Sequence, residues 1–91
     1  MALFEGFERR IDTINKTLAK YGWNSIEEAR DLCLSKGVDV EKIVKGVQPI
    51  AFENACWAYT LGAAIAFKKE VKDAATAAEC IGEGLQAFCI P

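Results

Sequence analysis

The sequence has 91 residues, of which 52% are hydrophobic, and its formal net charge at pH 7 is −2. This length fits one small domain, and the near-neutral charge gives no electrostatic case for nucleic-acid binding. Histidine is absent, which excludes Ser-His and Cys-His nucleophile pairs and metal sites that depend on imidazole. The charged residues Glu5, Glu8 and Arg9 interrupt the apolar run that a secretory signal needs at the beginning of a chain. No secretory signal is therefore predicted, and we expect a cytoplasmic protein.

The first half of the chain predicts three amphipathic helices. Residues 2–21 carry apolar side chains at spacings of four and three, which is typical of the seam of a helix that pairs with another helix. The seam consists of Leu3, Phe7, Ile11, Ile14, Leu18 and Tyr21. A capping box at residues 25–28 opens the second helix, which ends at Gly37. Asp39 is the predicted N-cap of a short third helix.

Residues 49–69 predict a central buried helix on which the other helices pack. Before its last two residues, its only charged side chain is Glu53, and a helix that is apolar or small nearly all round is covered on every side. At 100° per residue, Ala58, Gly62 and Ala66 share a face that lets another backbone approach closely. A membrane span is disfavoured, because it needs about 20 apolar residues and Glu53 interrupts the run.

A fifth helix is predicted from Ala74 to about Phe88, after a cap at Asp73. Its expected inner face is formed by Ala74, Ala77, Ala78, Ile81, Leu85 and Phe88. Gly82 and Gly84 inside this helix each cost roughly 0.5–1 kcal/mol relative to alanine, which indicates close packing or a break. No segment alternates as a strand does. We therefore expect an all-α bundle of about five helices, in a single domain that spans residues 1–91.

The charged residues are unevenly distributed. Residues 1–48 carry 16 charged side chains, whereas residues 49–91 carry only 8. The second half has too few charges for a fully solvated surface, so we expect a homo-oligomer in which part of it is covered.

Two patterns in the fifth helix resemble functional motifs. Residues 82–87 have the letters of the dinucleotide fingerprint G-x-G-x-x-A, but a helix precedes them where the fingerprint needs a strand. Glu79 and Glu83 are four residues apart and could form a paired-carboxylate acid/base site. A solvated helix face is the favoured interpretation of this pair.

The four cysteines are Cys33, Cys56, Cys80 and Cys89. In a reducing compartment they are thiols or metal ligands rather than disulfides, and no C-x-x-C spacing supports a zinc ribbon. Cys80 and Cys89 would lie about 13 Å apart on opposite faces of a continuous helix, which makes a shared metal difficult within one chain. Spacing alone favours buried structural thiols over metal ligands.

Three blocks of the sequence resemble a known family. ALFEGFERRIDTIN, IVKGVQPIAFENACWAYTLGAAIA and AAECIGEGLQAFCIP are similar to the N-terminal region of the bacterial GGGtGRT proteins, some of which carry an iron hydrogenase label. The resemblance implies that this chain is the helical N-terminal part of a longer cytoplasmic protein of anaerobic metabolism, with an iron–sulfur cluster. The best-matching stretches include FENACWAY with Cys56 and LQAFCIP with Cys89, and the resemblance implies these two residues as metal ligands. It carries no role onto Cys33 and Cys80.

Two hypotheses follow. In the first, the chain belongs to a redox-linked, hydrogenase-associated iron–sulfur protein. Cys56 and Cys89 would then supply half of a Cys₄ ligand set. Glu53 and Thr60 would adjust the charge around the sulfurs and the hydrogen bonds to them. Such a protein would exchange electrons with a redox partner protein. Hydrogenase active sites need several cysteines in tight motifs, so any catalysis would depend on residues outside this chain.

In the second hypothesis, the chain is a non-catalytic helical interaction domain with structural cysteines. Its small-residue face and its first helix would bind another chain.

Overall fold

A computed structural model of the protein describes residues 2–47 and 53–88, and the side chains of residues 10–43 and 56–88. Within these ranges all regular structure is helical, which confirms the all-α prediction. The five helices are α1 (Ala2–Lys20), α2 (Ile26–Ser35), α3 (Val40–Val47), α4 (Glu53–Lys68) and α5 (Ala74–Ala87).

The predicted N-caps of α2, α3 and α5 are all formed. Ser25, Asp39 and Asp73 each accept a hydrogen bond from the backbone N–H three residues further on. This interaction satisfies one of the free N–H groups of a first helical turn. Asp73 also accepts a bond of 2.8 Å from the Thr76 hydroxyl, and the two bonds from Thr76 lower the pKa of the Asp73 carboxyl.

Helices α1 and α2 each end in a hydrogen-bonded turn of the same type. After α1, the Trp23 amide donates to the Leu18 carbonyl at 2.9 Å and the Gly22 amide donates to the Ala19 carbonyl at 3.1 Å. This Schellman arrangement needs one residue in the left-handed region, where glycine is unstrained. Gly22 supplies it with φ +81°, and Gly37 supplies it after α2 with φ +78°.

Helix α4 ends in the same way without a glycine. The Val71 amide donates to the Ala66 carbonyl and the Glu70 amide donates to the Phe67 carbonyl, both at 3.1 Å. The left-handed position is taken by Glu70, with φ +55°. That conformation costs a residue with a Cβ atom roughly 1–2 kcal/mol, so this turn is locally strained.

Helix α4 is the centre of the bundle, as predicted. It packs against α5, α2 and α3, whereas α1 packs mainly against α5. Leu61 and Ile65 of α4 are completely buried. Of the predicted span 49–69, Pro49 and its neighbours up to residue 52 lie outside the described residues. No helix in the described part of the chain combines the length and the apolar character that a membrane crossing requires.

Helices α4 and α5 are antiparallel and their backbones touch. A Cβ atom added to Gly62 would lie 2.5 Å from the Ile81 Cα, and one added to Gly84 would lie 2.5 Å from the Ala58 carbonyl oxygen. The prediction that Ala58 and Gly62 admit a close backbone is therefore confirmed. Ala66, the third residue of that predicted face, is only partly buried.

The predicted inner face of α5 is partly wrong. Ala74 and Ala78 are exposed, and the buried side of the helix is formed by Cys80, Gly84 and Ala87, followed by the buried Phe88. The reason is the close contact with α4, since only small residues fit where two backbones touch. The larger apolar residues of α5 flank the contact instead of occupying it.

Candidate functional site

Three of the four cysteines lie in the described part of the chain. Cys33, Cys56 and Cys80 are all free thiols, and all three are buried. Cys89, the second predicted metal ligand, lies outside the described residues, and so does the side chain of Glu53. The part of the site that can be described therefore consists of Cys56, Thr60 and the core around them.

Cys56 and Thr60 lie on the side of α4 that faces α2. The Thr60 hydroxyl donates a 2.8 Å hydrogen bond to the carbonyl of Cys56. The Cys33 thiol of α2 donates to the Thr60 carbonyl, with a distance of 3.5 Å between sulfur and oxygen. Thr60 thus forms one hydrogen bond within α4 and one with α2, so its role is to connect the two helices.

Cys33 is the most deeply placed thiol. It is completely buried, and burial raises the pKa of its thiol to about 11. A thiolate is the form that binds metals and attacks electrophiles, and this environment disfavours it. Cys33 therefore acts as a small hydrophobic residue, in agreement with the sequence-based preference for buried structural thiols.

The other two thiols point in different directions. Cys80 lies on the face of α5 that contacts α4. A Cβ atom added to Gly62 would lie 3.1 Å from the carbonyl oxygen of Cys80. Ala58, which contacts α5, follows Cys56 by two residues, a rotation of about 200°. The Cys56 side chain therefore leaves α4 on the side away from α5. Among the side chains described, no group of three or more potential metal ligands is found.

A second cluster of polar groups surrounds Glu83 of α5. Its carboxylate accepts hydrogen bonds of 2.7 Å from the Tyr21 hydroxyl and 2.9 Å from the Lys20 ammonium, and the Lys69 ammonium lies 3.9 Å away. These contacts connect the end of α1 with α5 and with the end of α4. The favoured interpretation of Glu79 and Glu83 as a solvated pair is therefore wrong for Glu83, although Glu79 is exposed.

The electrostatics of this cluster are those of an ion pair. Burial raises the pKa of Glu83, but the hydrogen bonds from Lys20 and Tyr21 and the nearby ammonium groups outweigh it, so the net pKa is lowered. The pKa of Lys20 is raised, chiefly by its hydrogen bond to Glu83. Because the carboxylate is ionised and fully engaged, the cluster holds α1 in place and is not suited to acid/base chemistry.

Aromatic rings complete the same cluster. The Lys20 and Lys69 ammonium groups lie 5.3 Å and 5.6 Å from the centre of the Tyr21 ring, and the Lys68 ammonium lies 5.7 Å from that of Trp23. In such cation–π contacts the ammonium group is attracted to the negative face of the ring. More than 60 residues separate Tyr21 from Glu83, so local spacing carries no signal for this pairing.

Some large apolar side chains in the described part of the chain remain exposed. They are Ile11, Leu34, Ile43 and Tyr59, one on each of the first four helices. Single exposed apolar residues are ordinary on a protein surface. Ile11 differs from the other three because it belongs to the predicted seam of α1.

One known protein family matches this chain over nearly its whole length. The model of the family described as GGGtGRT protein matches residues 4–91. No curated protein and no solved structure matches the chain.

Proposed function

Since the chain belongs to the GGGtGRT protein family, we propose that it forms a helical association domain that brings copies of the chain together. In this proposal the cysteines of the described core are structural, and the domain itself is not an enzyme. It acts in the cytoplasm, a reducing compartment in which free thiols such as Cys33, Cys56 and Cys80 persist.

The observation that supports association is the apolar character of the described surface. Ile11, Leu34, Ile43 and Tyr59 each expose between 38% and 57% of their surface. Residues 49–91 carry only 8 of the 24 charged side chains of the sequence. Association of two copies would remove part of this apolar surface from water, which is favourable.

The association can be tested by thermal unfolding at several protein concentrations. Binding between folded chains stabilises them by mass action, so the melting temperature of an associated protein rises with concentration. We expect such a rise for the wild-type chain, monitored by far-ultraviolet circular dichroism. A melting temperature that is independent of concentration would contradict the proposal.

A second candidate function is iron–sulfur binding, and the position of Cys56 favours it. The solvent-exposed fraction of the surface is 8% for Cys56, 0% for Cys33 and 2% for Cys80. The described residues of one chain do not by themselves fit a cluster. Cys56 and Cys89 would be half of a Cys₄ set, and a second copy would supply the other half. Transfer of electrons to a redox partner protein would be the role of such a cluster.

The two candidates predict different results for cysteine variants of protein purified without oxygen. If Cys56 and Cys89 are ligands, alanine at either position removes bound iron and the visible absorption. The matched controls Cys33→Ala and Cys80→Ala leave both signals in place. If all four cysteines are structural, the protein contains no stoichiometric iron, or alanine at Cys56 leaves the iron unchanged.

A further inference from the structure

We propose that residues 10–20 of α1 form an arm that opens from the bundle while the core between α4 and α5 stays folded, and that Glu83 is the latch that holds the arm closed. This inference concerns a movement within one chain, so it goes beyond the proposed association function and does not depend on it. It is supported by the burial of α1, by the contacts that join its end to α5 and by the turn that follows it.

The described part of α1 contributes little to the core. Leu18 is buried, with 3% exposure, whereas residues 10–17 are exposed or only partly buried. Most of residues 56–65 of α4, in contrast, are buried. A segment with few buried apolar contacts opens at a lower free-energy cost than the core of the same protein. Opening of the arm would withdraw Leu18 from the core and leave the backbone contact of α4 with α5 intact.

The contacts that hold the end of α1 converge on one carboxylate. Lys20 and Tyr21 donate hydrogen bonds of 2.9 Å and 2.7 Å to Glu83 of α5. Lys69, which follows α4, lies 3.9 Å from the same carboxylate and 5.6 Å from the centre of the Tyr21 ring. The side chains of Lys20 and Glu83 are 64% and 26% exposed. Water can therefore replace these hydrogen bonds when the arm opens, so that no polar group is left without a partner.

The turn after α1 separates the moving part from the core. Tyr21 belongs to the latch, whereas Trp23 packs in the core with 9% exposure. Gly22 lies between them with φ +81°, and a Cβ atom added to it would meet no atom of the described residues within 4 Å. A glycine in open space adopts other backbone conformations without strain. The change breaks the hydrogen bond from the Trp23 amide to the Leu18 carbonyl, which crosses this hinge.

Amide hydrogen exchange distinguishes opening of the arm from unfolding of the whole bundle. A substitution speeds the exchange of an amide only if the opening that exposes this amide also breaks the interaction that the substitution weakens. Ile65→Val weakens the core at a completely buried position of α4, and Glu83→Gln weakens the latch. Glu79→Gln, at an exposed position one turn earlier in α5, is the matched control for the latch variant.

We expect the amides of residues 14–20 to exchange faster than those of residues 61–67 in the wild-type chain, measured by nuclear magnetic resonance. Ile65→Val should accelerate residues 61–67 about two- to tenfold and leave residues 14–20 unchanged. Glu83→Gln should accelerate both segments about fivefold, because both openings break the latch, and Glu79→Gln should accelerate neither. If Glu83→Gln does not fold, Tyr21→Phe replaces it, since it removes only the hydroxyl group that donates to Glu83.

Two results would overturn the inference. Equal acceleration of both segments by Ile65→Val would show that α1 opens only when the whole bundle unfolds. Unchanged exchange of residues 14–20 in the latch variant would show that α1 opens without breaking its contact with Glu83. Either result would leave the association function standing, because exchange within one chain does not depend on a second copy.

Discussion

Gly84 of α5 lies directly on Gly62 of α4, so that a Cβ atom at residue 84 would be 2.5 Å from the Gly62 amide nitrogen. The same atom would be 2.5 Å from the Ala58 carbonyl oxygen. Real Cβ atoms do not approach backbone atoms so closely. The contact between the two helices that define the core therefore depends on the absence of a side chain at these positions.

This contact predicts opposite effects for two glycines of the same helix. Gly84→Ala should lower the free energy of unfolding by about 1–3 kcal/mol, because the backbones must separate. A methyl group added at Gly82 would have no atom within 4 Å, so Gly82→Ala should raise the free energy of unfolding by roughly 0.5–1 kcal/mol through helix propensity. Urea unfolding measures both values. Equal effects of the two substitutions would show that the helices do not touch at Gly84.

The strained turn after α4 predicts a stabilising substitution. Glu70→Gly should raise the free energy of unfolding by about 1 kcal/mol, because glycine adopts a φ of +55° without strain. Lys72→Gly is the matched control, since this exposed position has no positive φ and glycine there should be neutral or destabilising. Thermal unfolding of the two variants checks the prediction. A lower melting temperature in Glu70→Gly would contradict it.

The Glu83 cluster predicts a pH-dependent contribution to stability. The pKa of Glu83 is below its ordinary value of 4.5 in the folded protein, so ionised Glu83 stabilises the fold at neutral pH. That contribution is present above the pKa of the unfolded chain and is lost as the pH falls through the lower folded pKa. Glu83→Gln should therefore cost on the order of 1 kcal/mol at pH 7, with a smaller cost in acid.

The exposed residue Glu79, one turn earlier in α5, is the control for this prediction. Urea unfolding of Glu83→Gln and Glu79→Gln at pH 7 and at pH values below the carboxylate range gives the comparison. Glu79→Gln should have little effect at either pH. A difference between wild type and Glu83→Gln that does not change with pH would show that the ion pair does not contribute.

The burial of the thiols predicts their order of reactivity. The Cys33 pKa of about 11 leaves almost no thiolate at neutral pH, and its side chain is inaccessible. Among the three described cysteines, Cys56 lies at the edge of the core and should react first with iodoacetamide in the native protein, while Cys33 reacts only on unfolding. Peptide mass spectrometry at successive times measures the order. Equal labelling rates would place Cys33 outside the core.

Much of the fold could be predicted from the sequence because its signals are local. The caps at Ser25, Asp39 and Asp73 and the glycine turns at Gly22 and Gly37 depend on residues a few positions apart. The small face of α4 also follows from helical periodicity alone. In each case the residue type determines the backbone geometry, so a short window of sequence contains the necessary information.

The features that sequence reasoning missed depend on tertiary contacts. The predicted inner face of α5 is partly wrong, because periodicity selects its larger apolar residues, whereas the close contact at Gly62 selects Cys80 and Gly84. The pairing of Glu83 with Tyr21 joins residues that are distant in the chain. The predicted ligand pair Cys56 and Cys89 stays a prediction, since Cys89 lies outside the described residues.

The most direct test of association is the mass of the wild-type chain at sedimentation equilibrium. Association predicts a mass approaching twice the 10.0 kDa of one chain at high concentration, which falls toward the monomer mass on dilution. A mass of 10.0 kDa at every concentration would contradict the account, because the exposed apolar side chains would then have no second copy to cover them.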